Sequence, residues 1–195
     1  NNKGDKWLND LWEKISEKTK KNADKYGDKT FIYTTKDGKF VEAESPYFWV
    51  NGFWCGINWL MYLAENDESY RKVAQGLVKA LDAPLHGFVG LHHDVGFMYH
   101  LSAVADYRIT GSKESYYRGL NAATLLLGRF NTVGNFLRAW NDDPGCEGER
   151  PGWAIIDSMM NIPLLYWASD VTKDPRFKQV AIKHADAVLK HFVRA

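Results

Sequence analysis

Three times along the chain a polar turn is followed by an aromatic residue, a basic residue and a fresh apolar run at helical spacing. The segments are Asn66-Asp67-Glu68-Ser69-Tyr70-Arg71-Lys72-Val73-Ala74, Gly111-Ser112-Lys113-Glu114-Ser115-Tyr116-Tyr117-Arg118-Gly119-Leu120 and Thr172-Lys173-Asp174-Pro175-Arg176-Phe177-Lys178-Gln179-Val180-Ala181. Asp, Ser or Pro at such a turn supplies N-cap or first-turn chemistry. An apolar helix-like run precedes each turn, at roughly 52–65, 95–109 and 157–170. The repeating unit is therefore a helical hairpin, and repeated units bury their faces by stacking on one another. In each unit the first run is the more apolar, as from Ile155 to Ala168, and the second is striped, as from Phe177 to Phe192. A helix apolar nearly all round is buried and a striped one is peripheral. The expected fold is all-α, a single domain over residues 1–195, with first helices inside and second helices outside. Trp54, Asp94 and Asp157 open the inner helices and should share one end of the array. Pro163 belongs either in a first turn or at a kink.

The start of the chain follows another pattern. Trp7, Leu8, Leu11, Trp12 and Ile15 have helical spacing over residues 5–25, whereas Phe31 to Val41 reads as a short hairpin or extended loop turned at Asp37-Gly38. With 195 residues, 45% of them hydrophobic, and a formal charge of +1, the chain has material for one real core and no electrostatic case for nucleic acid. The lysines from Lys14 to Lys29 are interleaved with Glu and Asp, as on a solvated helix face. Cys55 and Cys146 form no CxxC and no disulfide framework, so reduced thiols and a cytoplasmic location are expected. No apolar run reaches the ~18 residues of a membrane span, and no signal peptide is visible. The chain starts at Asn1 without Met, which suggests trimming and leaves a periplasmic or secreted location open.

Asp94 and Asp157 carry the clearest chemical signal. Each opens an apolar inner run, where a carboxylate is costly unless paired, hydrogen-bonded or protonated. Two readings stand: each aspartate caps its own helix, or the two form a carboxylate pair for acid–base work. His86, His92, His93 and His100 cluster nearby, but no HExxH or Cys partner accompanies them, so no metal is expected. His93 fits a hydrogen-bonding role beside Asp94. The 8 Trp serve either as packing groups or as stacking faces for sugars. The stretch from Asn131 to Gly152 is long for a structureless connection and leads straight to Asp157, which favours function. GxSxG, P-loop and GxGxxG motifs are absent.

Three segments carry a family resemblance: Gly52-Phe53-Trp54-Cys55-Gly56, His93-Asp94-Val95-Gly96-Phe97-Met98-Tyr99 and Asp157-Ser158-Met159-Met160-Asn161-Ile162-Pro163-Leu164-Leu165-Tyr166-Trp167-Ala168. In that order and separation they resemble unsaturated glucuronyl hydrolases of glycoside hydrolase family 88. The related unsaturated rhamnogalacturonyl hydrolases of family 105 match less well. The resemblance implies part of an (α/α)6 barrel, here an incomplete half-ring corresponding to roughly the N-terminal half of the family domain. It implies a substrate too: the 4,5-unsaturated uronic acid at the non-reducing end of lyase-generated glycosaminoglycan oligosaccharides. By resemblance Asp157 is the proton donor and base, Asp94 binds ring hydroxyls and steadies a cation, and Trp54, Trp140 and His93 line the sugar site. No metal or organic cofactor is implied. An open half-ring would leave apolar inner faces uncovered. A longer protein, a complementary C-terminal half or self-association is therefore expected. Without the missing half supplied, a non-enzymatic helical-repeat segment is the alternative.

Overall fold

The computed structural model describes residues 3–43, 45–88, 90–141 and 152–194. A long helix α1 (Lys3–Tyr26) leads into a hairpin of β1 (Phe31–Lys36) and β2 (Lys39–Glu42). Asp37 and Gly38 at its turn have φ of 50° and 70°. Two positive φ values in a two-residue loop are the turn that the right-handed strand twist favours. The hairpin pairs Lys36 with Lys39 and Thr35 with Phe40, and its register shifts between Thr35 and Phe31, which pairs with Glu42.

The three expected helical hairpins follow. The first is α2 (Val50–Glu65) with α3 (Glu68–Ala80). A short helix α4 (Asp82–Gly87), not foreseen in the sequence, then leads to the second unit. There α5 (Val95–Tyr99) runs through a π-helical turn (His100–Val104) into α6 (Ala105–Thr110) and returns as α7 (Lys113–Leu127). In the third unit α8 (Ser158–Asn161) and α9 (Pro163–Thr172) return as α10 (Pro175–Phe192). Pro163 takes the first position of α9, where its missing N–H costs nothing, and so divides the inner run in two. A small ladder of β3 (Phe130–Asn131) and β4 (Phe136–Leu137) occupies the start of the long connection. Most of its remainder, residues 142–151 with Cys146, lies outside the described residues.

The recurring sequence turn is one backbone device used three times. Asn66, Gly111 and Lys173 each adopt a left-handed conformation that ends the inner helix. The next residue caps the outer helix: Asp67 accepts from the Ser69 N–H, Ser112 from Ser115 and Asp174 from Arg176. Lys20 of α1 donates to Asp67 Oδ2 (3.1 Å) and Ser69 Oγ (2.9 Å), which ties the first helix to the first of these turns.

The main core lies between the second and third units and includes Met98, Tyr99, Val104, Leu126, Leu164 and Trp167. A smaller one joins Cys55 and Trp59 of α2 to Ala74, Leu77 and Val78 of α3. The inner helices meet at glycine. A Cβ on Gly52 would lie 2.5 Å from the Cα of Met98, and one on Gly96 would lie 2.4 Å from the Cα of Asn161. Only a missing side chain permits backbones this close. Large apolar side chains remain exposed on α1 (Trp7 63%, Leu8 55%) and on α2 (Leu60 67%, Leu63 61%), as expected of an open arc of hairpins. Among the described residues no helix is long and apolar enough to cross a membrane.

Candidate active site

Trp49, Asp94 and Asp157 each hold the residue position immediately before an inner helix, namely α2, α5 and α8. Neither aspartate makes a side-chain cap hydrogen bond, and both have αR backbone geometry. The capping reading thus has no cap bond behind it. The close passage of Gly96 against Asn161 brings the starts of α5 and α8 together, and with them the two carboxylates.

Between the carboxylates stands His93, fully buried. Its Nε2 lies 3.1 Å from Asp94 Oδ1 and 3.9 Å from Asp157 Oδ1. All three atoms are buried without a hydrogen-bond partner in the protein. Buried polar atoms are nearly always hydrogen-bonded, so three that converge are suited to the hydroxyls of a ligand. The side chain of Asp94 is 6% exposed and that of Asp157 is 40% exposed, which places Asp157 at the accessible edge and Asp94 beneath it.

Burial dominates the electrostatics. It pushes the Asp94 carboxyl up to about 7, assisted by the charge of Asp157 and opposed by Asn161 and Arg129. Burial also raises Asp157, against backbone hydrogen bonding at Ser158. Trp153, four residues before Asp157, is 52% exposed. The His93 imidazole is pushed down to about 3, mainly by burial, so it is neutral at physiological pH. The charge of Asp157 acts on Asp94, so the two carboxyls titrate as a pair.

Supporting residues come from distant parts of the chain. Asn161 accepts from the Phe97 N–H (2.7 Å), which locks α5 to α8 below the carboxylates. His184 of α10 accepts from the Leu137 N–H (3.0 Å) at Nδ1 and contacts Ser158 Oγ (2.6 Å) at Nε2. Ser158 Oγ donates to Ile155 O (2.6 Å), so the His184 Nε2–H is the donor to Ser158. Burial lowers His184 to about 4, which keeps it in this neutral tautomer.

Of the expected site residues, the structure brings His93, Asp94, Asp157 and Trp140 together. Trp140 packs edge-on against His92 (4.8 Å between centroids) and His93 (5.6 Å). Trp54 is placed elsewhere. Its indole donates to Gly27 O (3.0 Å), and the ring lines an apolar groove with Tyr26, Phe31, Phe40 and Phe53. The aromatic at the carboxylate end of α2 is Trp49, 38% exposed and packed on Phe53 and Phe97. The signal that could have found it is its position, one residue before the helix, as for both aspartates. His86 is exposed on α4, and His100 lies in the π-helical turn. His92, His93 and Asp94 bring donor atoms within 4.8 Å of one another, a set dense enough to hold a metal ion.

Comparison with known proteins finds relatives along most of the chain. An unsaturated glucuronyl hydrolase of Bacillus sp. (strain GL1) is 36% identical over 177 residues, which are 90% of this chain and 46% of the relative. The chain is similar to unsaturated glucuronyl hydrolases over about half of their length. The resemblance read from the three motifs is thereby borne out. An unsaturated chondroitin disaccharide hydrolase of Streptococcus agalactiae serotype III is 35% identical over 147 residues, 75% of this chain and 36% of the relative. The crystal structure of the Bacillus sp. GL1 unsaturated glucuronyl hydrolase, described as responsible for glycosaminoglycan degradation, superposes with a TM-score of 0.85 at 34% identity. That match covers 93% of this chain and 48% of the other. A variant of such a hydrolase with dGlcA-Glc-Rha-Glc matches equally well, with the same TM-score, identity and coverage. No family model matches the chain.

Proposed function

We propose that the protein carrying this chain is a glycosidase that releases a 4,5-unsaturated uronic acid from glycosaminoglycan oligosaccharides by hydrating its C4=C5 double bond. The observation behind this reading is the convergence of Asp94 and Asp157 on the neutral, unpartnered Nε2 of His93. The similarity to hydrolases of unsaturated uronyl sugars supports it.

The unsaturated ring is a vinyl ether, and its reaction begins with a proton. Asp157, at the accessible edge, gives its proton to C4. The resulting positive charge is shared by C5 and the ring oxygen. Water adds to C5, and the Asp157 carboxylate takes a proton from it, which restores the acid. The C5 hemiketal opens to a ketone, leaving a hemiacetal at C1 that collapses to an aldehyde and expels the rest of the sugar as an alcohol. One water is consumed and no nucleophile attacks C1, so carboxylate spacing does not decide a stereochemical outcome here.

The raised affinity of the pair for protons suits a general acid working near neutrality. Substrate covering Asp157 would remove more water from it and raise it further. Asp94 and His93 lie below, in place to bond ring hydroxyls, and above about pH 7, where Asp94 is ionised, its charge also stabilises the cation. Trp140, and Trp49 in place of Trp54, supply aromatic faces at the rim. This chemistry calls for no metal or organic cofactor.

The double bond absorbs in the ultraviolet, so loss of absorbance from an unsaturated chondroitin disaccharide reports turnover. Asp157→Asn is expected to abolish turnover while leaving the circular dichroism and the unfolding temperature close to those of the parent. Undiminished turnover in that variant would remove Asp157 from the mechanism.

A further inference from the structure

We propose that Arg129 is a positioning residue whose guanidinium sets the Trp140 face beside the carboxylates, so that it acts on the substrate through Trp140. The inference rests on the sugar-site reading above.

Arg129 lies in the turn between α7 and β3, and its guanidinium hydrogen-bonds to successive residues of the segment 138–141. Its Nε donates to Arg138 O (2.8 Å), Nη1 to Asn141 Oδ1 (2.8 Å), and Nη2 to both Ala139 O (3.1 Å) and Trp140 O (2.9 Å). Three backbone carbonyls and one amide oxygen are thus held by one planar, rigid fork, which an ammonium cannot imitate. The held segment has no helix or long strand to fix it. Within it the Arg138 N–H donates to Arg129 O (3.0 Å) and Arg138 Nε to Trp140 O (2.9 Å). Its ties to the rest of the protein include the His93 N–H to Ala139 O (3.3 Å), the Ala139 N–H to Trp153 O (2.8 Å) and Asn141 Nδ2 to Leu91 O (3.0 Å). They run to the loop before Asp94 and to the segment before Asp157. Arg129 therefore fixes a stretch of chain that touches both carboxylate-bearing loops, and Trp140 rides on it against His92 and His93. Its positive charge also acts on Asp94 and His93. Lysine would keep that charge and lose the fork.

The test is Arg129→Lys in the full-length protein, with Asn141→Ala as a milder variant that removes one arm of the clamp. A face that binds substrate and transition state equally affects KM alone. Arg129→Lys is expected to raise KM about three- to tenfold, with kcat within about twofold of the parent. In a Trp140→Ala background it should raise KM no further, because a residue acting through Trp140 has nothing left to act on. A further rise of the same size in that background, as a general loss of structure would give, overturns the proposal. A second readout needs no turnover. In protein labelled with 5-fluorotryptophan, both variants should move the Trp140 fluorine resonance while those of buried Trp59 and Trp167 stay in place. An unmoved Trp140 resonance overturns the proposal whatever the kinetics. A moved resonance in a protein whose parent never turns over the sugar upholds the clamp and rejects the carboxylate reading instead.

Discussion

Replacing Asp94 by Asn should make the protein more stable at alkaline pH and change little in acid. The folded environment holds the Asp94 proton until about 7, mainly through burial and then through the charge of Asp157. An unfolded chain releases the same proton near 4. Between those values the folded state binds more protons than the unfolded state, so stability declines as pH rises through this window. Each tenfold change in proton affinity is worth about 1.4 kcal/mol. The difference in proton affinity therefore amounts to about 4 kcal/mol by pH 8, or about 2 kcal/mol if water reaches the ionised carboxylate. Asn has nearly the same shape, keeps an oxygen that can accept from Asn161, and has no proton to lose. The low-titrating His93 and His184 are present in both chains and cancel in the comparison. Urea unfolding at pH 4 and pH 8 measures the effect. The stability difference between variant and parent should be small at the lower pH and reach about 2–4 kcal/mol in favour of the variant at the higher. A difference independent of pH would refute the assignment of a buried, proton-holding Asp94. A pH-dependent one would mean that the site keeps its charged form at a cost to the fold, as expected where function is served.

Two further outcomes test the scaffold. Gly96→Ala puts a methyl group against the backbone of Asn161, and overpacking of this kind costs about 1–3 kcal/mol or more. A thermal unfolding temperature at or above that of the parent would contradict the close helix crossing. Asp67→Ala and Asp174→Ala each remove a bonded cap and should cost about 0.5–2 kcal/mol. Asp157→Ala loses no such bond and should cost clearly less in the same urea titration; an equal cost would restore the capping reading.

The sequence was informative where function or fold is written locally. Asn66-Asp67, Gly111-Ser112 and Lys173-Asp174 are adjacent pairs, and each announces a helix end and a helix start by its own chemistry. Asp37-Gly38 does the same for the hairpin. The convergence of Asp94 and Asp157 followed from their equal places in a repeat. Trp54 shows where this stops. It lies in the motif, but α2 starts at Val50, and the residue matching the aspartates is Trp49; an error of a few residues in a helix start turns attention to another side chain. Asn161, His184 and Arg129 left no local mark. Their partners are far away in the chain, as with Asn161 and the Phe97 amide or His184 and the Leu137 amide, and such pairings exist only after packing. Helix α4 and the π-helical turn were missed because an apolar run reports the face of a helix better than its winding.

That π-helical turn, His100–Val104, has a bearing on how this architecture can vary over evolutionary time. Each residue in an α-helix advances the side-chain direction by about 100°, and a π turn fits in one residue more than regular winding would. The segment that follows Asp94 is thus phased separately from Ala105–Thr110, which leads to the left-handed Gly111 and the cap at Ser112. The two ends of one inner helix answer to different demands, one to the chemistry and one to the turn into α7. Substitutions that re-aim the far end can accumulate without rotating the carboxylate end, so the scaffold can drift while its acid pair stays aligned.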